Sequence, residues 1–164
     1  MSPRLDVDSV AVINRQRTIV IDTGKLQRAV AEVLARCDEA GQEVTVMLVS
    51  DRTMRTINRD YRKVDAATDV LSFAMREGPD GDPSGQLLGD LVISLETVRR
   101  QWPDSFEDGR PLTGSAQREL ALMTIHGVLH LLGYNHDSDA AAAQAMIQRE
   151  CELFEDTWKF FPIF

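Results

Sequence analysis

The stretch "TIHGVLHLLGYNHD", residues 124–137, holds all three histidines of the chain: His126, His130 and His136. An α-helix turns about 100° per residue, so side chains four positions apart lie about 40° apart on one face. The imidazoles of His126 and His130 can therefore reach one ion. Gly133 then lets the backbone turn, and His136 follows three residues later. The spacing H-x3-H-x5-H thus offers two ligands from a helix and one from the turn after it. Three neutral imidazoles with a fourth position open is the arrangement of a catalytic zinc site; structural zinc sites are closed and usually rich in thiolate. Neither cysteine, Cys37 or Cys151, is near this stretch in sequence. One Zn2+ ion is the expected cofactor.

The surroundings agree. Leu120, Leu122, Met123, Ile125, Val128, Leu129, Leu131 and Leu132 cover most of the helix circumference, which predicts a buried helix. A buried imidazole without a partner is costly, and two on one face ask for a shared one. Core histidines satisfied by hydrogen bonds are the plain alternative; three at this spacing favour a divalent metal. The same spacing occurs in the metzincin proteases, H-E-x-x-H-x-x-G-x-x-H, and Gly133 falls on that pattern's glycine. Gly127, however, stands where those proteases carry their general-base Glu, which argues against a zinc metallopeptidase-like hydrolase. Glu119 lies two helical turns before His126, with nothing to require that it face the metal.

A second constellation is basic. Arg52, Arg55, Arg59 and Arg62 are spaced three, four and three apart, so on a helix they form one stripe within roughly 80°. Met54, Ile57 and Tyr61 fall on the opposite side and are expected to face the core. The stripe is either an ordinary solvated face or a path for the phosphates of a nucleic acid. Asp69, in "TDVLSF", and Asp90, in "LGDLV", lie beside strand-like runs. Each could accept a hydrogen bond from the outer N–H of a ligand histidine, or cap a turn.

These residues need a scaffold. "VAVIN" and "RTIVID" read as strands, and "TGKLQRAVAEVLARCDEAG" as a helix with Gly41 as its stop. "EVTVMLVS" reads as a strand, after which Ser50 caps a helix from Asp51 to Lys63. "TDVLSFAM" is a strand, 77–86 a loop, and "LLGDLVISLETV" a strand running into a helix. "WPDSFEDGRPLTG" is a second loop, before a helix from Ser115 to Leu132 and a last one from Ser138 to Trp158. The tail "WKFFPIF" either packs on the body or contacts a partner. The expectation is an α+β fold: a small sheet of about four strands packed with about five helices, the metal site on a buried helix and the turn after it. One domain, residues 1–164, is expected, with 1–10 and 159–164 as candidate flexible ends.

Composition bounds the partners. The net charge of −8 argues against a general nucleic-acid binder, though not against a local basic patch. No apolar run approaches the about 18 residues that span a membrane, and "MSPRLDVDSV" has no apolar signal core. With the two cysteines in no shared motif, free thiols and a cytoplasmic location are expected. No phosphate-binding glycine loop is present, so no nucleotide cofactor is expected.

The segment His126-Gly127-Val128-Leu129-His130-Leu131-Leu132-Gly133-Tyr134-Asn135-His136 resembles the YbeY family signature H-G-x-L-H-L-x-G-Y-D-H. The blocks "YRKVDAATDVLSF" at 61–73 and "LLGDLVIS" at 87–94 resemble that family too, and the likeness extends over residues 44–157. The resemblance implies a single-strand-specific zinc endoribonuclease of ribosomal RNA maturation and quality control. It implies ligation by His126, His130 and His136, a catalytic arginine at Arg62, and ribosomal RNA, the ribosome or its associated proteins as partners. The stripe Arg52, Arg55, Arg59 and Arg62 is then an RNA path. Two positions depart from the family pattern. Asn135 stands where an Asp is usual; it can hydrogen-bond but cannot take a proton at neutral pH, and Asp137 is placed to substitute in part. Lys63 stands where a glycine often follows the arginine. Besides the peptidase, a non-catalytic, metal-containing ribosome assembly factor is the competing reading.

Overall fold

Five helices start the same way. Asp22, Ser50, Ser94, Ser115 and Asp139 each accept, through the side chain, the backbone N–H three residues on. This satisfies one of the donors that a helix start leaves without an internal partner. In the computed structural model, which describes residues 4–76, 81–102 and 114–164, the helices are α1 Thr23–Arg36, α2 Asp51–Arg62, α3 Leu95–Gln101, α4 Ala116–Leu131 and α5 Ala140–Thr157. The strands are β1 Val10–Asn14, β2 Glu43–Val49, β3 Val70–Ala74 and β4 Leu87–Ser94. They form one sheet in the order β1-β2-β4-β3, parallel except for the antiparallel pair β3–β4. The fold is α+β. Parts of the two expected loops, 77–80 and 103–113, and the first three residues of the expected flexible start lie outside the described residues.

Alternation along the strands divides the core. Val44, Val46, Leu48, Leu91 and Ile93 pack with α1, α4 and α5. Val49, Leu71 and Val92 pack with Met54 of α2 on the other face. Side-chain parity changes within β4. Glu43 pairs with Leu87 but Val44 with Gly89, so Leu88 is an extra residue. Leu88 and Leu91 consequently share the main core although they are three residues apart. Among the described residues no helix is long and apolar enough to cross a membrane.

Helix α4 is the central element. From Glu119 to Leu131 every residue is buried except His126 and His130. Each fully buried leucine contributes about 1.5–3 kcal/mol, so the apolar envelope around the histidines is also what holds the helix in place. Gly127 permits its close approach to the sheet. A Cβ there would stand 2.8 Å from Leu91 Cδ2 and 3.1 Å from Val70 Cγ2. Ser72 Oγ donates to the Gly127 carbonyl at 3.2 Å. The tail packs on the body: Phe161 is fully buried, Gln117 donates to its carbonyl at 2.9 Å, and Arg118 lies 4.2 Å over the Trp158 ring.

The structure corrects three local expectations. "RTIVID" is not a strand. The Gln16 side chain bonds both the N–H and the C=O of Ile19, at 2.8 and 2.7 Å, and so takes the place of a neighbouring strand. Helix α1 stops before Gly41, because Asp38 adopts φ +56° and Glu39 N–H bonds back to the Leu34 carbonyl at 2.9 Å. Tyr61 is 71% exposed rather than core, edge-on to Phe73, since α2 covers only part of its sheet face.

Lys63 ends α2 at φ +62°, the left-handed conformation that glycine adopts most readily. This is a physical reason for a glycine at that position. Lys63→Gly is expected to raise stability by about 0.5–1 kcal/mol, visible as a melting midpoint about 1–4 °C higher. A lower midpoint would mean that the bond from Lys63 Nζ to the Asp60 carbonyl, at 3.1 Å, outweighs the strain.

Candidate metal centre

The ring nitrogens of the helical histidines are sorted by their outer partners. His130 Nδ1 lies 3.0 Å from the Tyr134 carbonyl. A carbonyl only accepts, so Nδ1 carries the proton and Nε2 keeps its lone pair. His126 Nδ1 lies 2.5 Å from Oε1 of Glu150, whose carboxylate selects the same tautomer. The two Nε2 atoms then face each other at 3.0 Å. Two lone pairs at that distance repel until a cation lies between them. His136 completes the group, and one ligand atom from each of the three rings lies within 4.8 Å of the others. Around a tetrahedral zinc with bonds of about 2.0–2.1 Å the nitrogens stand about 3.3 Å apart; the two helical Nε2 atoms, at 3.0 Å, are already near that spacing, and His136 closes in to complete the set. Burial, and next the neighbouring His126 ring, hold the His130 imidazole below the ordinary histidine range, in the neutral form that ligates.

Gly133 does two things here. At φ +96° it closes α4, with its own N–H on the His130 carbonyl and Tyr134 N–H on the Leu129 carbonyl, both at 3.0 Å. The same turn delivers the Tyr134 carbonyl that orients His130, and reverses the chain toward His136. Asn135 Oδ1 accepts the Asp137 N–H at 2.9 Å. An aspartate makes that turn equally well, so this departure from the family signature keeps the backbone shape. The carboxylate of Asp137 lies 3.3 Å from His136 Nε2, whereas Asn135, among the described residues, bonds only within the turn.

The histidines sit in an open cleft of about 470 Å³ that is also lined by Arg62, Asp69, Thr97 and Gln101. Asp69 caps the start of its own strand: Oδ1 accepts the Val70 N–H at 2.7 Å, and Oδ2 accepts from Gln101 at 2.9 Å. It makes no hydrogen bond to a histidine among the described residues. Asp90 lies in a different groove, beside Met47, Ile57 and Tyr61 on the α2 side of the sheet. Alternation counted from the buried Leu88 would turn Asp90 away from α2; the bulge reverses that parity. Burial raises the Asp90 carboxyl above its ordinary range.

The arginine stripe is exposed along its whole length. Only Arg62 of the four reaches the cleft. Arg55 is held by Asp65 through two bonds of 2.8 and 3.0 Å, and Arg59 lies 3.3 Å from Asp60. Arg52 and Arg62 have no ion pair among the described residues.

Glu150 escapes a reading of the sequence. Its signal was present: on α5 it falls in phase with Met146, Leu153 and Thr157, a carboxylate on the buried stripe of an amphipathic helix. Gly127 also acquires a second meaning. Its α-carbon faces the sheet at the close approach to Leu91 and Val70, so a glutamate there would meet β3 and β4. The protease base has no room at this position. Removing the outer carboxylate should loosen the centre. Glu150→Ala is expected to weaken zinc binding about 10–100-fold, measured by competition against a chromogenic chelator, with Glu150→Gln retaining more affinity. Equal affinity in all three proteins would deny Glu150 an orienting role.

Residues 11–157 match the family described as Endoribonuclease YbeY. The Endoribonuclease YbeY of Moorella thermoacetica is 46% identical over 135 residues, covering 78% of this chain and 82% of that one. That of Desulforamulus reducens is 39% identical over 154 residues, 90% of this chain and 95% of the relative. That of Anaeromyxobacter dehalogenans is 44% identical over 129 residues, 79% of this chain but 61% of the relative, so here the chain spans less than two thirds of a curated protein it matches. The solution structure of TM1509 from Thermotoga maritima is similar in fold, with a TM-score of 0.60 and 21% identity over 92% of this chain and 89% of that one. The family match spans both the arginine helix and all three histidines, and the chain belongs to the endoribonuclease YbeY family.

Proposed function

We propose that the protein is a zinc-dependent endoribonuclease that cuts single-stranded RNA, ribosomal RNA foremost, during ribosome maturation and quality control in the cytoplasm. One observation carries the reading: three histidine ligand atoms converge in the cleft that Arg62 also lines. The donor set is three imidazoles with no thiolate, which suits zinc with an open coordination position. A zinc ion bound there would lower the pKa of a coordinated water to about 7 and polarise a phosphoryl oxygen.

The chain's own residues do the rest. Arg62 binds the scissile phosphate and stabilises the negative charge that grows on it during attack. Arg52 and Arg59 meet flanking phosphates, and Arg55, tied to Asp65, contributes least. The His126 side chain is only 15% exposed, so the scissile phosphate must descend into the cleft to reach it. A flexible single strand can deliver it; a stiff duplex keeps its backbone outside. The net charge of −8 repels RNA elsewhere on the surface. The ribosomal substrate and ribosome-associated partners rest on the family.

The test is cleavage of labelled single-stranded and duplex RNA by protein free of contaminating nuclease. Wild type should cut the single strand, and chelator or His130→Ala should abolish this. Arg62→Ala should lower kcat about 10²–10³-fold with zinc content unchanged. Cleavage that survives all three treatments would be contamination and would sink the reading. Binding offers an independent check. Replacing all four stripe arginines by Ala should flatten the dependence of log K on log salt by up to about 0.7 for each phosphate no longer neutralised. An unchanged slope would return the stripe to an ordinary solvated face.

A further inference from the structure

The cleft contains a proton acceptor that the metal centre does not use. Among the described residues that line it, Asp69 is the one carboxylate; its other polar side chains are hydroxyls, the Gln101 amide, Arg62 and the histidines. Glu150 is buried behind His126, and Glu119 is buried in α4. Hydroxyls and amides cannot take a proton at neutral pH, an arginine is already charged, and three imidazoles are committed as ligands. We infer that Asp69 is the general base of the reaction. This rests on the endoribonuclease reading above.

Asp69 is held as a base must be held. Oδ1 is fixed by the Val70 N–H at 2.7 Å and lies 3.3 Å from the Thr68 hydroxyl. Oδ2 accepts from Gln101 Nε2 at 2.9 Å, and a carboxylate oxygen has room for another donor. The same Gln101 nitrogen donates to Oε1 of Glu119, also at 2.9 Å. The two amide hydrogens therefore clamp Asp69 to the helix that carries His126 and His130. From the other side, the Asp69 carbonyl accepts Ser94 N–H at 2.9 Å, and Asn58 holds the preceding loop by the Ala66 carbonyl at 2.9 Å. The carboxylate position is thus set relative to the metal-binding helix by one rigid path, which is the preorganisation that proton transfer requires.

The step balances without any further reactant. As the attacking water's oxygen bonds to phosphorus, its proton passes to Asp69. The bond from phosphorus to the leaving ribose oxygen breaks with its electron pair on that oxygen, which receives the proton that Asp69 accepted. Arg62 offsets the charge on the phosphoryl oxygens meanwhile. Gln101 is a positioning residue in this scheme, acting through Asp69.

Three measurements on the zinc-loaded full chain decide it: zinc stoichiometry, single-stranded RNA binding by fluorescence anisotropy, and single-turnover cleavage with and without added formate. Asp69→Ala and Asp69→Asn should bind zinc and RNA within about threefold of wild type. Both should cleave about 10²–10⁴-fold more slowly. Formate should restore part of the rate to Asp69→Ala, where the vacated space admits it, and none to His130→Ala. A carboxylate with a merely structural role predicts no rescue. The proposal fails if Asp69→Asn cleaves near the wild-type rate, or if formate leaves Asp69→Ala unchanged while its zinc and RNA binding are intact. If the alanine variant does not fold, Asp69→Asn alone decides, since it keeps the side-chain volume and cannot take a proton. Wild type inactive on every RNA would overturn the endoribonuclease reading itself, whereas active wild type with equally active Asp69 variants overturns this inference alone.

Discussion

The two imidazoles of α4 present their lone pairs to each other across 3.0 Å because both have given their outer N–H to something else. Glu150 takes one and the Tyr134 carbonyl the other. An arrangement of this kind is unfavourable by itself and becomes favourable around a cation. It stands only if the helix cannot rotate or slide. The burial of α4 from Glu119 to Leu131 supplies that constraint, with Gly127 bringing its backbone against β3 and β4. Helix α5 has to lie where Glu150 meets His126, and the turn at Gly133 has to close tightly enough to place a carbonyl on His130. Much of the molecule on that side of the sheet is thus a mount for two ring orientations.

Charge is distributed to the same end. An acidic chain concentrates a row of cations on one helix, and the structure grades them. Arg62 opens on the histidine cleft, Arg52 is unpaired among the described residues, and Arg55 and Arg59 stand beside Asp65 and Asp60. The two guanidinium groups without an ion pair among the described residues thus stand at opposite ends of the row, and of these Arg62, at the C-terminal end of α2, lines the cleft. Asp51 ties the start of the same helix to α3 through Thr97 and Arg100, at 2.6 and 2.8 Å, so the helix bearing the arginines and the one bearing Gln101 are fixed to each other.

The convergence of the three histidines could be read from the chain because their relation is local. Four residues of helix and one glycine turn fix His126, His130 and His136 relative to each other without help from the rest of the fold. The helix starts were readable for the same reason, since a capping Ser or Asp acts within three residues. Reading failed where a distant segment intervened. "RTIVID" has strand chemistry, but Gln16 satisfies Ile19 instead of a neighbouring strand. Asp90 belongs to the α2 side because one extra residue in β4 reverses parity, and pairing with β2 decides that. Tyr61 is in phase with Met54, but the sheet beneath it ends too soon to cover it.

The sequence alone therefore determined which atoms are available: three imidazoles at ligand spacing, a glycine where a protease carries its base, and a row of guanidinium groups on a helix. Those are properties of short-range geometry and of side-chain chemistry, and they survive any packing that keeps the helices. Tertiary structure decided which partners the atoms have. Glu150 reaches His126 across 24 positions, and Gln101 joins Asp69 to Glu119 across three separate elements. Hydrogen bonds between segments so far apart depend on where helices cross and which strand face is buried. Only the assembled core fixes those relations.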